Sequence, residues 1–393
     1  MNDSFFRTID WSRIPKDSIQ DIEIIRGGGA TSMWGNMAMG GLVNIVSRDL
    51  APSEKTVNVN YGSYNTVNAS AAANLISNDV ISSTFSYDYQ GSQGYNLTPA
   101  IYRNPYMVAT QSRVNNANLK TFISPSSDSK YYVNLNANLA NESGLVYNNA
   151  QNTWDNYTLS AGGTTKTSDK ASVSISAWVT NTKYTTQNEA FPTGTYSMNN
   201  PTAGVPYITQ KENANYTTVG GSTFYSTELG SVKDIKVGID ARNIGLSDQN
   251  NMFSSSGFNG GNSPAATIIS NATNNFQGIF ASGIYKFDAV PMDLSVGLRQ
   301  DFWQATNASI NGLLSSGAPI NNQLANNSYA GFNPTAGIKY WVNDNLELRA
   351  SAYKNFSAPG MNMSYRAFSS QGQMTVANPS LSTQTNIGKE IGF

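Results

Sequence analysis

From about Lys55 onward, apolar and polar residues alternate with period two in segments of roughly ten residues. That is the length a tilted strand needs to cross a bilayer. Between positions 131 and 141 the odd places hold Tyr131, Val133, Leu135, Ala137 and Leu139, and the even ones Tyr132, Asn134, Asn136 and Asn138. Likewise Ile81, Phe85, Tyr87 and Tyr89 stand against Ser82, Thr84, Ser86, Asp88 and Gln90. Positions 171–180, 234–242, 292–302 and 346–355 repeat the pattern. A one-residue slip would turn each apolar face inside out, so the phase is well determined. It predicts that Val133, Leu135, Leu139, Val173, Ile175, Leu294, Val296 and Leu348 face lipid. Asn134, Asn136, Ser174, Asp293 and Arg349 should face the opposite side.

The polar faces carry charges uncommon in a globular sheet: Asp234, Lys236, Asp240 and Arg242, then Asp293, Arg299 and Asp301, then Glu347 and Arg349. An ordinary sandwich also alternates, and the connections separate the two. Short links at 77–79, 125–129, 167–169, 230–231 and 343–345 alternate with long ones at 91–111, 187–212, 247–272, 307–327 and 359–383. Outer-membrane barrels pair tight turns on one side with long loops on the other, whereas sandwiches loop comparably at both ends. The expected fold is therefore all-β, a transmembrane antiparallel β-barrel, with about fourteen strands between Lys55 and Phe393. The first fifty residues differ. They read as a turn, a strand at 21–26, a small-residue segment at 27–41 and a second strand at 42–47. A linker follows at 50–54.

Composition agrees. Only 12% of the 393 residues are charged and 39% are apolar, yet 21 Tyr, 16 Phe and 6 Trp are too many aromatics for a disordered chain. There is no apolar run long enough for a membrane-spanning helix, and alternating strands leave a much weaker hydropathy signal. Cys and His are both absent, which removes disulfides, thiolate metal sites and the usual hydrolytic triads. Catalysis by carboxylates or Lys stays open in principle, but no such cluster stands out, and neither a resident cofactor nor a metal site is expected. A net charge of −1 without a basic cluster argues against nucleic acid as a partner. The opening residues, Met1 to Arg7, show no secretion signal. Either the protein is not exported or its natural start lies upstream, and the second is expected.

The segment Ile14-Pro15-Lys16-Asp17-Ser18-Ile19-Gln20-Asp21-Ile22-Glu23-Ile24-Ile25-Arg26-Gly27 and the later Trp34-Gly35-Asn36-Met37-Ala38-Met39-Gly40-Gly41-Leu42-Val43-Asn44-Ile45 resemble the plug signature of TonB-dependent outer-membrane receptors. About thirty positions match in order and spacing. Gly28 stands where the family has Pro, and Trp34 where it has Tyr. Near the other end, Asn355-Phe356-Ser357-Ala358-Pro359 and Asn378-Pro379-Ser380-Leu381 with Glu390-Ile391-Gly392 resemble late barrel segments of the same family, although Ser382-Thr383-Gln384 replaces its usual Lys-Pro-Glu.

The resemblance implies that residues 1–50 are the last part of a plug domain and 51–393 an incomplete barrel. Family barrels have 22 strands. The first half of the plug, with the segment that engages TonB, and roughly eight final strands are thus expected outside this sequence. It also implies energised uptake of a scarce nutrient, most often a ferric siderophore, without covalent chemistry. TonB, outer-membrane lipid and a small-molecule ligand would be the partners. Cobalamin and oligosaccharides are the alternatives within the family, a passive porin the alternative outside it, and haem is disfavoured by the absence of His.

Glu23, Arg26, Gly27, Trp34, Gly35, Gly40, Gly41 and Asn44 form the expected plug motif, with the glycines allowing close approach and Glu23 and Arg26 buried and paired. Family plugs carry an apical loop just before the Ile-Pro motif, here residues 2–9. Ser4, Phe5, Phe6 and Arg7 at its centre are the candidate ligand contacts, the alternative for the two rings being to pack inside the plug. Long-loop aromatics Tyr95, Tyr102, Tyr106, Tyr196, Tyr207, Phe253, Phe258 and Tyr365 are secondary candidates.

Overall fold

A computed structural model describes residues 3–26, 33, 35, 38–48, 50–192, 205–254, 264–314, 316–370 and 373–393. Two short strands, β1 (Ile19–Arg26) and β2 (Gly41–Ser47), pair with one another near the start. The main sheet begins with β3 (Lys55–Gly62), β4 (Thr66–Ser77), β5 (Ile81–Ser92), β6 (Gln111–Ser126), β7 (Ser129–Ser143) and β8 (Gln151–Ser168). It continues through β9 (Ala171–Ala190), β10 (Tyr207–Leu229), β11 (Val232–Met252), β12 (Ala266–Lys286) and β13 (Met292–Leu313). The pieces β14 (Pro319–Gln323), β15 (Asn327–Phe332) and β16 (Thr335–Asn343) pair in turn with β13 from one end to the other, as one interrupted strand. Then come β17 (Leu346–Ser357), a short helix α1 (Met361–Tyr365), the small ribbon of β18 (Phe368–Ser370) and β19 (Gln373–Thr375), and β20 (Gln384–Gly392).

Every pairing is antiparallel between neighbours, and the path from β3 to β20 has fourteen strands with those two as its edges. The predicted strand count therefore stands, in an open arc of sheet. The predicted phase stands in β7 and β9, but burial does not set Asp293 apart from Leu294, and Arg349 is exposed as Leu348 is. Val133, Leu135, Leu139, Val173, Ile175, Val296 and Leu348 are exposed on the convex face, with Leu294 on the same parity and partly covered. Asn134, Asn136 and Ser174 are more covered, on the concave face.

Loop lengths differ from expectation. β10 has 23 residues and β12 has 21, about twice what a bilayer requires. The links expected at 187–212 and 247–272 are strand at both ends, up to Ala190 and from Tyr207 in the first, and up to Met252 and from Ala266 in the second. Their outward positions turn from Val219, Val237 and Ile239 to Asn213, Asn215, Ser247 and Gln249. The ladder continues beyond the apolar belt with polar residues on its outer side, so the outward apolar pattern stops before the hydrogen bonds do.

The amino-terminal segment lies against the concave face. Lys120 reaches Ser47 Oγ, Asn355 Nδ2 donates to the Met39 carbonyl at 3.2 Å, and Asn74 Nδ2 donates to the Leu50 carbonyl at 3.1 Å. Gly35 has φ +60°, and a Cβ there would stand 2.7 Å from Arg299 Nη2, so glycine is required twice over. Gly41, at φ 132°, opens β2 in a conformation that side chains disfavour. Among the described residues none comes within 4 Å of where a Cβ on Gly40 would stand, so they show no close approach there.

Glu23 also departs from expectation. It is exposed and accepts from Asn44 Nδ2 at 2.7 Å across the β1–β2 pair. The reason is that β1 and β2 pair only with each other; Ile22, Ile24 and Ile25 on β1 are exposed as well. Gly27, Trp34 and the side chain of Arg26 lie outside the described residues.

Candidate functional site

Residues 3–8 form a closed turn. Asp3 N donates to the Thr8 carbonyl at 2.7 Å, and Arg7 N to the Asp3 carbonyl at 2.9 Å. The Asp3 carboxylate caps the turn from inside, accepting from Phe5 N at 2.9 Å and Phe6 N at 2.7 Å while Tyr216 OH donates to its other oxygen. Such Asx capping is what short acidic side chains do at turns. Arg7 sits at φ 61°, a strained backbone for a residue with a side chain.

Of the four predicted contacts, Phe5 is wholly buried. It stacks on Tyr216 at 5.7 Å between centroids and meets Phe6 edge-on at 4.8 Å. Phe6 is half-buried against Tyr184 at 4.8 Å. Ser4 Oγ bonds Thr218 Oγ1 at 3.0 Å. Arg7 Nη1 donates to the Ala358 carbonyl at 2.6 Å and Nη2 to Ser357 Oγ, and burial lowers its pKa below the ordinary value. The sequence left open ligand contact or packing inside the plug for the rings, and Phe5 packs instead against the barrel wall, on Tyr216 and Tyr184.

A second grip was not foreseen. Asn116, Asn138, Asn156, Thr182 and Tyr216 are directly opposed across β6 to β10 and are all buried, forming one girdle on the concave wall. Asn156 Nδ2 donates to Asn138 Oδ1 at 3.2 Å, and Thr182 Oγ1 to Asn156 Oδ1 at 2.8 Å. Asn116 and Asn138 each donate to the Ser12 carbonyl, at 3.2 and 3.1 Å, and Arg13 Nη2 donates to Asn156 Oδ1. Asn138 stood among the polar positions read from the sequence, whereas Asn116 and Asn156 did not, and period two says nothing of which residues share a level.

Above the turn, residues 358–367 run inward as a strap. Ala358, Met361 and Tyr365 are buried in one cluster with Phe5, Trp303 and Phe356, and Asn362 N donates to the Phe5 carbonyl at 3.3 Å. Tyr365, expected on a loop surface, is therefore core. Arg366 forks onto Glu212, with Nε to Oε1 at 2.7 Å and Nη2 to Oε2, and Gln210 Nε2 adds a third donor at 3.1 Å.

Glu212 faces Asn250 across β10 and β11. Asp248, two residues before Asn250 on the same face, is 1% exposed. Neither Asp248 oxygen has a hydrogen-bond partner among the described residues, and neither end of the Asn250 amide has one. This level lies beyond the apolar belt, because Lys211, Asn213, Ser247 and Gln249 point outward there. Burial, reinforced by Glu212 and opposed by Arg366, pushes the Asp248 carboxyl up to about 8. Burial alone would lower the Arg366 pKa, but its bonds and attraction to Glu212 outweigh that and raise it.

Deeper in the concave face, Arg299 binds Asp240 at 2.7 and 3.1 Å and Asp301 at 2.8 Å, and Asn333 Nδ2 donates to Asp301 at 2.8 Å. The remaining loop aromatics pack on one another or on Lys: Tyr95 on Tyr64, Tyr106 on Phe191, and Phe253 under Lys211. Tyr207 falls within β10, Tyr102 is exposed, and Tyr196 and Phe258 lie outside the described residues. Among the described residues no group of three or more Asp, Glu, His or Cys is placed to hold a metal ion.

Residues 74–393 match the protein family described as TonB dependent receptor-like, beta-barrel. No curated protein matches the sequence. The chain is similar in structure to the ferric-catecholate import receptor Fiu of E. coli K12 in its open form, at 12% identity and TM-score 0.66 over 88% of this chain and 60% of that one. It is similar to the ferric yersiniabactin uptake receptor FyuA of Yersinia pestis at 12% identity and TM-score 0.68, over 86% of this chain and 52% of that one. The siderophore receptor PiuA of Acinetobacter baumannii gives 13% identity and TM-score 0.68, over 88% and 55%. At these identities the likeness is one of fold, and the chain spans little more than half the length of these proteins.

Proposed function

The chain belongs to the TonB-dependent receptor family of the outer membrane, and from that premise we propose that it is part of an importer of a scarce nutrient, a ferric siderophore. Residues 1–50 are the part of the plug that fills the barrel lumen, and residues 51–393 the wall that holds it. The observation that carries this reading is the double grip on the amino-terminal segment. Its turn is fixed by Asp3, Phe5 and Arg7, and its next turn by the asparagine girdle. A passive porin works through an open, water-filled lumen and has no use for a wall built to hold an insert.

The long strands carry the wall well beyond the membrane, so the capped turn and the strap lie on the ligand's side. The short turns at 230–231 and 344–345 lie on the TonB side. Binding energy alone accounts for capture, and the protein makes and breaks no covalent bond. Siderophore is favoured over cobalamin or oligosaccharide because structural relatives are named as siderophore receptors.

The test is uptake of radio-iron by cells producing the full-length protein, supplied with a panel of ferric siderophores at nanomolar concentration. Uptake that requires both the protein and TonB, and that stops when the proton gradient is collapsed, is the expected result. Uptake indifferent to TonB would return the protein to the porin class.

A further inference from the structure

The strap is held at its far end by one ion pair, beside a second acid that the pair leaves out. Glu212 and Asp248 are two carboxyl groups against one guanidinium, that of Arg366, and all are largely buried. Arg366 satisfies Glu212 on both oxygens, which leaves the Asp248 carboxylate and the Asn250 amide without hydrogen bonds among the described residues. An unpaired buried carboxylate is costly, and a well-built polar cluster normally satisfies each member. The cluster is thus complete only for an occupant that brings more positive charge and more donors than Arg366 does.

Resting on the uptake function proposed above, we propose that Glu212, Asp248 and Asn250 form a recognition site for a cationic group of the imported molecule, a guanidinium or primary ammonium, and that Arg366 of the strap occupies it until the cargo arrives. Geometry supports a single site. Glu212 and Asn250 are directly opposed on adjacent strands, and Asp248 is the diagonal neighbour of Glu212, within reach of a ligand of a few ångströms. An ammonium has three donors and a guanidinium five in a fork, enough to serve both carboxylates and the Asn250 oxygen. Displacing Arg366 frees the strap residues that cover Phe5, so arrival of the cargo and exposure of the capped turn are one event.

Agmatine, which carries a guanidinium and an ammonium on one short chain, is the probe, and the neutral N-butylurea the control. In the full-length protein, a nitroxide at Met363→Cys, an exposed strap position in a sequence without Cys, reports strap mobility. Agmatine should raise that mobility saturably and N-butylurea should not. E212Q and D248N, close in shape to the native residues, should each raise the half-saturating concentration at least tenfold. R366A, which removes the competitor, should lower it at least tenfold. Tryptophan fluorescence reports binding in case R366A leaves the strap already mobile. An agmatine response unchanged by D248N and R366A, or no response in any variant whose barrel is folded, overturns the proposal. TonB-dependent iron uptake alongside a silent agmatine titration would remove this site while leaving the importer function intact.

Discussion

Replacing Phe5 with Ala should unfasten the capped turn from the barrel wall while leaving the wall folded. Phe5 is 0% exposed, stacked on Tyr216 with an interplanar angle of 24° and packed edge-on against Phe6. Truncating a fully buried Phe costs about 3–5 kcal/mol, the transfer of the ring plus the cavity it leaves. The polar anchors survive the change, since Asp3 still accepts from Tyr216, Ser4 still bonds Thr218, and Arg7 still reaches Ala358. The loss therefore falls on the ring, and the lower figure of about 3 kcal/mol is expected, a roughly hundredfold rise in local opening. Hydrogen exchange at the amides of residues 5–7, read by mass spectrometry on the protein in nanodiscs, measures it directly. The ladder amides of β9 and β10 should not change, because their bonds are strand to strand. Phe6→Ala is the internal control: that ring is only half-buried and should cost about half as much, since apolar stabilisation scales with area removed from water. Equal effects from the two truncations, or no change for Phe5→Ala, would refute the claim that Phe5 is the ring on which the turn's seating depends.

Further outcomes follow from other contacts. Asn156→Leu removes the acceptor of both Thr182 and Arg13 and strands the amides around it, so it should cost the docked segment about 1–3 kcal/mol, seen as faster proteolysis within residues 10–18. Leu135→Arg places a charge on the lipid face of β7 and should cost roughly 2–4 kcal/mol in a reversible barrel-folding assay, and spin labels at 135 and 136 should differ in lipid accessibility. Arg7→Ala should release the strap, because Arg7 donates to Ser357 and Ala358, and Arg7→Lys should rescue it only in part for want of the fork; label mobility at Met363 reads both. The stability of the wall around Asp248 should fall as pH rises from the ordinary carboxylate range through about 8, read as faster hydrogen exchange along β11. Its contribution is complete while Asp248 is protonated below the ordinary pKa, and lost as the buried carboxyl ionises facing Glu212, with Arg366 opposing. D248N should abolish that pH dependence.

How far the sequence was legible depends on which physical regularity each feature obeys. Leu135 and Asn136 were readable because lipid and water impose period two on every strand, and pairs such as β4–β5, β6–β7 and β10–β11 because their short turns leave no other neighbour to pair with. The strand extensions past Val219 and Ile239 were not readable, since backbone hydrogen bonds persist there after the change of medium that marked the pattern has ended. Gly35 was legible as a place of close approach but not as a partner of Arg299, 264 positions away. The girdle of Asn116, Asn138 and Asn156 needed the register, which depends on turn geometry and bulges such as that between Ile123 and Ser126. Glu23 was misjudged because burial was inferred from a motif, whereas exposure depends on whether a third strand covers β1.

The two ends of the amino-terminal segment are held by different chemistry, and that difference bears on how an insert can be both secure and movable. The girdle grips Ser12 and Arg13 through amide hydrogen bonds, which are directional and fail one at a time, each worth about 1 kcal/mol net. The capped turn is held by a buried ring and by Arg7, a contact shared with the strap, so its security depends on where the strap sits. A strap that lifts withdraws Ala358, Met361 and Tyr365 from the cluster around Phe5 and takes away the Ala358 carbonyl that accepts from Arg7, while Ser357 on β17 and the girdle stay in place. The wall contacts of Asp3, Ser4, Ser12 and Arg13 then remain among the holds on the segment, hydrogen bonds that a pull from the short-turn side can break in sequence. On the importer function proposed above, the ligand's side would decide when the insert is loosely held, and the opposite side would act on it.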